Sequence, residues 1–314
     1  MPGWNPGVTA QRQVGSGAYR TRGAAELIDA AFTLYRRNLP LVLAVVALIQ
    51  VPFAVLRFAV AQAAGLPGLD TALTGSLSNS QQFADLQNRT GVQAATAALN
   101  VVDAGVVTPL AMAVVAAVVV ARYTGSAVTL GDAWRTVLRR GWGLLVLIPV
   151  FIAIDAPLAI SSVTVTTTTG PNPTPEQTST ALGGLGIILA CLAVFIAALV
   201  PLLLAVPALI AEGVSGTGAI RRSWRLVRGA FWRTLGLYLL AAIIAGVFHA
   251  VIALVLDIPG SFMSGAGATA VDSAAQAVAA VVATPIALIT VTLLYYDRRI
   301  RREAFDIEML AASL

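Results

Sequence analysis

Long apolar runs alternate with short polar segments along the chain, and six of the runs are long enough to cross a lipid bilayer. A transmembrane helix needs about 20 predominantly apolar residues, because each residue adds about 1.5 Å to its length. The predicted spans are residues 39–61, 98–121, 142–163, 182–211, 234–256 and 271–296. This pattern predicts an all-α fold, a polytopic transmembrane helical bundle.

The composition agrees with a membrane protein. Hydrophobic residues make up 58% of the chain and charged residues only 11%, whereas soluble domains are about 25% charged. The mean hydropathy is +0.83. The formal net charge is nevertheless +5, so the position of the basic residues is informative.

The basic residues are all arginine, and they lie on alternate connections between the predicted spans. Eighteen of the 20 arginines lie before the first span, between the second and third, between the fourth and fifth, or after the sixth. The other three connections contain only Arg89, and Arg57 lies inside the first span. Since positively charged segments stay on the cytoplasmic side, both termini are predicted to be cytoplasmic.

The pattern divides the chain into three parts. Residues 1–22 are rich in Gly, Pro, Gln and Arg, and are predicted to be a disordered cytoplasmic tail. Residues 23–296 form the six-span membrane domain, and residues 297–314 a charged cytoplasmic helix. Opposite charges at i, i+4 support that helix. The pairs are Asp297 with Arg301, Arg299 with Glu303, and Arg302 with Asp306.

A short motif recurs three times, each time before a span that runs outward. Residues 29–39 (DAAFTLYRRNL) align without gaps with residues 132–142 (DAWRTVLRRGW). Residues 222–232 (RSWRLVRGAFW) follow the second copy at four positions. The sequence therefore predicts three repeats, each a cytoplasmic interfacial amphipathic helix followed by a transmembrane hairpin.

Helical spacing gives the basic segments two different faces. In the second copy, apolar residues recur at i, i+3, i+4, i+7 and i+8 from Leu130, with arginines on the opposite face. Thr129 and Asp132 match a capping box at its start. The predicted apolar stripe of the third copy consists of Ile220, Trp224, Val227 and Phe231. Such helices, with aromatics opposite arginines, are typical of the headgroup layer.

We expect these arginines to face anionic lipid headgroups and cytoplasmic water, where each adds about 1 kcal/mol of attraction. The candidate interfacial residues are Arg36, Arg37, Trp134, Arg135, Arg139, Arg140, Arg221, Arg222, Trp224, Arg225, Arg228 and Trp232. A site for a specific lipid or a protein partner is the alternative. Nucleic-acid binding is disfavoured, because it needs stacking aromatics on the same side as the arginines.

Four segments together suggest a family. They are residues 28–38 (IDAAFTLYRRN), Glu212 with Gly213, residues 222–233 (RSWRLVRGAFWR) and residues 294–306 (LYYDRRIRREAFD). Over roughly residues 23–310 the chain resembles the membrane domain of glycerophosphoryl diester phosphodiesterases and its stand-alone bacterial relatives. The resemblance implies a multi-pass protein of the bacterial cytoplasmic membrane. In fused members a separate soluble barrel carries the hydrolase chemistry, and these residues contain no comparable barrel.

Five ionisable residues fall in the outer halves or at the outer ends of the predicted spans: Arg57, Asp103, Asp155, His249 and Asp257. Charged groups at the bilayer centre cost about 2.5–3.5 kcal/mol on insertion scales, so each is a functional candidate. One hypothesis pairs Arg57 with Asp103 or Asp155 in a polar cavity, where Pro157 interrupts the span as in transporters with broken helices. The alternative is structural, with Arg57 and Asp103 reaching the outer surface and His249 hydrogen-bonded to a neighbouring helix.

The sequence contains few other residues that could bind a metal or take part in catalysis. Cys191 is the only cysteine and His249 the only histidine, so no metal site is expected. We find no pairing of a nucleophile with a base and no phosphate-binding glycine loop, and we expect neither a cofactor nor catalysis. The leading hypothesis is a non-enzymatic membrane scaffold or lipid-associated module. Its expected partners are anionic lipids of the inner leaflet and a membrane or cytoplasmic protein. The alternative is a small-molecule or lipid transporter that uses the outer-half polar residues around Asp155.

Overall fold

The computed structural model describes residues 23–64, 90–168, 175–263 and 265–303, and contains no strand among them. The helices, in chain order, are α1 (Ala24–Arg37), α2 (Leu39–Ala64), α3 (Thr90–Val102), α4 (Thr108–Tyr123), α5 (Leu130–Arg140), α6 (Leu144–Thr168), α7 (Pro175–Glu212), α8 (Gly216–Val227), α9 (Phe231–Asp257) and α10 (Ala266–Glu303). A π-helical segment, Asp103–Val107, joins α3 to α4. The predicted tail, residues 1–22, lies outside the described residues.

The all-α class and the six spans are confirmed. Six helical stretches of the described chain are long and apolar enough to cross a membrane, which makes this a multi-pass membrane protein. The spans correspond to α2, to α3 with α4, and to α6, α7, α9 and α10. The helices α7 and α10, each of 38 residues, begin seven and five residues before the predicted spans, because polar helix ends leave no mark on hydropathy. Past residue 296, α10 continues to Glu303 within the predicted charged helix, and residues 304–314 lie outside the described residues.

A short helix precedes the first, third and fifth span, as the sequence analysis predicted. These helices are α1, α5 and α8. The capping box of α5 is confirmed: the Asp132 amide donates to Thr129 Oγ1 at 3.3 Å, and the Thr129 amide donates to Asp132 Oδ2 at 3.1 Å. That the three units are copies of one another stays a prediction.

The predicted apolar stripe of the third copy is wrong at its end. The helix α8 ends at Val227, so Phe231 lies on α9. Gly229 has a φ of +85°, a left-handed conformation that glycine adopts without steric cost and that interrupts a helix. The buried face of α8 consists of Gly216, Ala219, Ser223, Leu226 and Val227. Trp224 lies beside this face and is 56% exposed.

The buried core lies towards the arginine-bearing ends of the spans. The spans containing α4 and α10 are the most enclosed. In their most apolar 18-residue stretches, 67% and 61% of the residues are buried. The buried runs are residues 111–119 of α4, 200–210 of α7 and 288–298 of α10. By contrast, Ile187 and Val194 of α7 and Leu254 of α9 are more than half exposed, as expected for side chains that face lipid tails.

Candidate functional site

The arginine-bearing segments meet at one end of the bundle, which we call the arginine-rich end. The ring of Tyr123, the last residue of α4, stacks on the ring of Tyr296 in α10 with a centroid distance of 4.3 Å. Arg140 of α5 contacts the last turn of α7, and Arg222 of α8 contacts Glu303 of α10. Segments far apart in sequence are thereby joined on one surface.

The first basic helix, α1, is anchored by its apolar face. Leu27, Ala31 and Tyr35 are buried at i, i+4 and i+8, and the Tyr35 hydroxyl donates to the Val282 carbonyl of α10 at 2.9 Å. Burial raises the pKa of Tyr35, so the hydroxyl keeps its proton for this bond. The exposed arginines at the end of α1 are therefore fixed relative to the bundle.

A close backbone approach joins the second and third basic segments. Gly216, the first residue of α8, lies against Gly143, and a Cβ on Gly216 would fall 2.5 Å from the Gly143 carbonyl oxygen. No side chain larger than hydrogen fits at this distance. The start of α8 is therefore held directly against the start of the third span.

Glu212, the last residue of α7, is the centre of a group of charged side chains. Arg222 donates from Nε to both carboxylate oxygens of Glu212 at 2.9 Å. The Tyr295 hydroxyl donates to Glu212 Oε1 at 2.5 Å, and Arg299 Nε lies 3.5 Å from the same oxygen. One carboxylate thus connects α7, α8 and α10.

Glu303 completes the group from the end of α10. Arg222 Nη2 donates to Glu303 Oε2 at 2.5 Å, and Nη1 binds the other carboxylate oxygen. Arg299 Nε lies 3.5 Å from Glu303 Oε2. We call Glu212, Arg222, Tyr295, Arg299 and Glu303 the glutamate–arginine cluster. Its two carboxylates balance its two guanidinium groups.

The side chain of Arg222 is only 16% exposed. Burial by itself would lower the pKa of Arg222, but the hydrogen bonds to Glu303 and Glu212 outweigh burial and raise it. Arg222 therefore stays charged, and its bidentate bonds hold both carboxylates in place.

Other arginines bind backbone carbonyls at helix ends. Arg140 donates to the Ile210 carbonyl and, at 3.3 Å, to the Ala211 carbonyl at the end of α7. Arg298 donates to the Leu226 carbonyl at 3.2 Å, and Arg302 to the Arg228 carbonyl at 2.5 Å. The last carbonyls of a helix have no partner within it and carry partial negative charge, so they attract cations. With Arg222 and Arg299, these residues are the inner arginines.

A second set, the outer arginines, is exposed. Its members are Arg36, Arg37, Arg122, Arg139, Arg221, Arg225 and Arg228. Within the described part of the chain, their guanidinium groups make no hydrogen bond or ion pair to another side chain. Trp142, Trp224 and Trp232 are 75%, 56% and 79% exposed at the same end. Exposed tryptophan beside exposed arginine is typical of a membrane–water interface.

The structure places the twelve predicted interfacial residues differently from one another. Ten are exposed, whereas Arg222 and Trp134 are partly buried. Arg222 is committed to the glutamate–arginine cluster, and Arg140, although exposed, binds carbonyls of α7. Arg135 lies 3.4 Å from Asp132 on the exposed face of α5. Contact of these residues with lipid stays a prediction.

Sequence reasoning missed the cluster as a unit. The i, i+4 pairs of Asp297 with Arg301 and Arg299 with Glu303 are present, and Asp306 lies outside the described residues. The bond from Arg222 to Glu212 crosses the turn between α7 and α8, where no helical spacing applies. Two signals were available: Glu212 directly follows a long apolar run, and all five members of the cluster lie in the segments that carry the family resemblance.

The outer polar residues form one group and one separate pair. Arg57 Nη1 lies 3.8 Å from Asp103 Oδ2, and both side chains are partly exposed, so this is not the buried pair of one hypothesis. Asp155 is close enough to act on Asp103 electrostatically. His249 is separate: its Nε2 lies 2.9 Å from Gln276 Oε1 on α10, which agrees with the structural alternative.

The π-helical segment, which begins at Asp103, packs directly against α6. Gly105 lies against Ile152, and a Cβ on Gly105 would fall 2.4 Å from Ile152 Cγ1. A π-helical turn inserts one residue into a helix and is frequent at functional sites. From this position, Asp103 Oδ2 lies 3.8 Å from Arg57 Nη1. Asp103 Oδ1 is buried without a hydrogen-bond partner among the described residues.

The fold and the arginine-rich end define a multi-pass α-helical membrane protein. Residues 176–297 match the family model described as the membrane domain of glycerophosphoryl diester phosphodiesterase, which confirms the resemblance over that stretch. The matched stretch includes Glu212, Arg222 and Tyr295 of the glutamate–arginine cluster. Comparisons with curated proteins and with solved structures gave no match.

We expect Arg222→Gln to destabilise the fold, because it leaves Glu212 and Glu303 facing each other with one fewer cation. Breaking a fully buried ion pair costs about 3–5 kcal/mol, and for this partly exposed cluster we expect about 2 kcal/mol. Thermal unfolding of the purified protein in detergent, followed by tryptophan fluorescence, measures the change.

The matched control is Arg135→Gln, which removes the same charge from an exposed ion pair. Exposed pairs contribute about 0–1 kcal/mol, so this variant should unfold close to the parent protein. Equal stability losses in the two variants would contradict a structural role for the cluster.

Proposed function

We propose that this protein is a non-enzymatic membrane scaffold or lipid-associated module of the bacterial cytoplasmic membrane. Its arginine-rich end faces the cytoplasm and gathers anionic lipids of the inner leaflet. The observation that carries the proposal is the division of the arginines. Carboxylates and backbone carbonyls of the protein bind the inner set, whereas the guanidinium groups of the outer set have no such partner among the described residues. The outer set is therefore available to negative charges from outside the chain.

The position of the outer arginines favours lipid as the source of these counter-charges. Arg36 and Arg37 directly precede the first span, and Arg122 lies in the last turn of the second. Each arginine near an anionic leaflet gains about 1 kcal/mol. The exposed rings of Trp142 and Trp232 at the starts of the third and fifth spans suit the same layer.

The orientation in the proposal depends on the same residues. Positively charged connections are retained in the cytoplasm during insertion, and the resemblance implies a bacterial host. The proposal includes no catalysis, because the carboxylates of the glutamate–arginine cluster are occupied by arginines and Tyr295. It requires no cofactor. A protein partner with an acidic surface is the other source of counter-charge, and the first test separates it from lipid.

Removing three outer arginines should reduce the anionic lipid around the protein. The variant combines Arg139→Gln, Arg221→Gln and Arg225→Gln, which lie on α5 and α8. At about 1 kcal/mol each, their loss should reduce the enrichment of anionic over zwitterionic lipid several-fold. Lipid analysis of polymer-extracted native discs measures this enrichment against the surrounding membrane.

The matched control replaces the same three arginines with lysine, which keeps the charge. This control should retain the anionic lipid. An unchanged lipid composition in the glutamine variant would contradict the proposal, and a co-purified acidic protein lost only from that variant would identify a protein partner instead.

The second candidate function is transport through the outer polar group. Asp103 lies 3.8 Å from the guanidinium of Arg57, and a second carboxylate, that of Asp155, is close enough to act on Asp103 electrostatically. The π-helical segment and the unpartnered Asp103 Oδ1 favour this candidate, because such a group suits a proton or a small cation. The scaffold proposal requires no pathway for ions or small molecules through the protein.

A flux assay separates the two functions. The protein is reconstituted into liposomes that contain a pH-sensitive dye, and a proton or potassium gradient is applied. The scaffold proposal predicts no flux above that of empty liposomes. Transport predicts flux that Asp155→Asn abolishes and that His249→Gln leaves intact, since His249 pairs with Gln276 away from this group.

A further inference from the structure

A pocket opens at the arginine-rich end between α1 and the end of α4. Its volume is about 560 Å³, within the range of roughly 300–1,000 Å³ that is typical of small-molecule sites. The lining residues are Ala30, Thr33, Leu34, Arg37, Asn38, Arg122 and Tyr123. Four of them lie on one face of α1, Asn38 directly follows that helix, and two come from the end of α4.

The lining is strongly cationic. Arg37 and Arg122 approach the pocket from opposite walls, and none of the lining residues is acidic. Both arginines belong to the outer set, so the described residues supply no carboxylate to neutralise them. Thr33 adds a hydroxyl that no described residue binds. The pocket therefore offers two guanidinium groups and a hydroxyl to an anion.

The pocket lies beside the start of the first span and the end of the second, where we expect headgroups to meet lipid tails. Arg37 is two residues before Leu39, the first residue of the first span, and Tyr123 is the last residue of the second. Ala30 and Leu34 provide an apolar part beside the two charges. An amphiphile entering from the bilayer would present its headgroup to the arginines and its glycerol and acyl chains to this apolar part.

Both walls are fixed without a ligand. On one side, α1 is held by the bond from Tyr35 to the Val282 carbonyl, and Asn38 is held by its own bond to the Leu34 carbonyl at 3.0 Å. On the other side, the Tyr123 ring stacks on Tyr296. A preformed site loses little conformational entropy when it binds.

We propose that this pocket binds the phosphomonoester headgroup of an anionic lipid. The inference rests on the proposed function and narrows it, from general attraction of anionic lipids to one bound headgroup. A phosphomonoester carries a charge of about −1.5 to −2 near neutral pH, which matches two arginines better than the single charge of a phosphodiester. Guanidinium groups also bind phosphate oxygens in a bidentate manner.

The test measures binding of short-chain dioctanoyl phosphatidic acid to the purified full chain by native mass spectrometry in detergent. We expect Arg37→Gln and Arg122→Gln each to weaken binding about tenfold, the effect of losing one charge-assisted contact. The matched control is Arg36→Gln, which removes the neighbouring exposed charge outside the pocket and should change binding less than about twofold. Dioctanoyl phosphatidylglycerol, a phosphodiester, should bind several-fold more weakly.

Each alternative outcome overturns a defined part of the inference. If Arg36→Gln weakens binding as much as Arg37→Gln, the lipid is held by diffuse charge, and the pocket is not the site although the proposed function stands. If inorganic phosphate or glycerol phosphate binds as tightly as the lipid, the site takes soluble anions. Equal binding of the two lipids overturns the preference for a phosphomonoester. Absence of any anionic lipid binding overturns both proposals.

Discussion

A guanidinium group that is withdrawn from water at a membrane boundary needs hydrogen-bond acceptors or a carboxylate partner, and this requirement organises the arginine-rich end of the bundle. The protein supplies some partners itself. Glu212 and Glu303 bind Arg222 and Arg299, and free carbonyls at the ends of α7 and α8 bind Arg140 and Arg298. The arginines without such partners are the ones available to the surroundings.

The division of the arginines into an inner and an outer set connects the stability of the bundle with its proposed function. The inner arginines tie α5, α8 and α10 to the end of α7, next to the most deeply buried parts of α4, α7 and α10. The rest of the bundle presents apolar side chains to lipid. Because lipid tails are as apolar as these side chains, the hydrophobic effect does little to hold the helices together there. The polar contacts at one end therefore fix the arrangement from which the outer arginines, and the pocket between Arg37 and Arg122, project.

Sequence reasoning recovered what depends on local spacing. Hydropathy located the six spans, and the spacing of Thr129 and Asp132 gave the start of α5. It failed where tertiary structure decides: the turn at Gly229 ends α8 before Phe231, and a contact across the α7–α8 turn joins Glu212 to Arg222. The pocket could not be predicted from the sequence either, because Arg37 and Arg122 lie on different helices that are brought together by packing against α10.

The side of the membrane on which the arginine-rich end lies is the claim on which the account most depends, and cysteine accessibility tests it. Replacing the only cysteine by Cys191→Ser allows single reporters at Ser126→Cys, in the exposed connection before α5, and at Ser261→Cys, in the exposed turn after α9. A membrane-impermeant maleimide on intact bacteria should label the Ser261→Cys protein at once, and the Ser126→Cys protein only after permeabilisation. Labelling of the Ser126→Cys protein in intact cells would contradict the account.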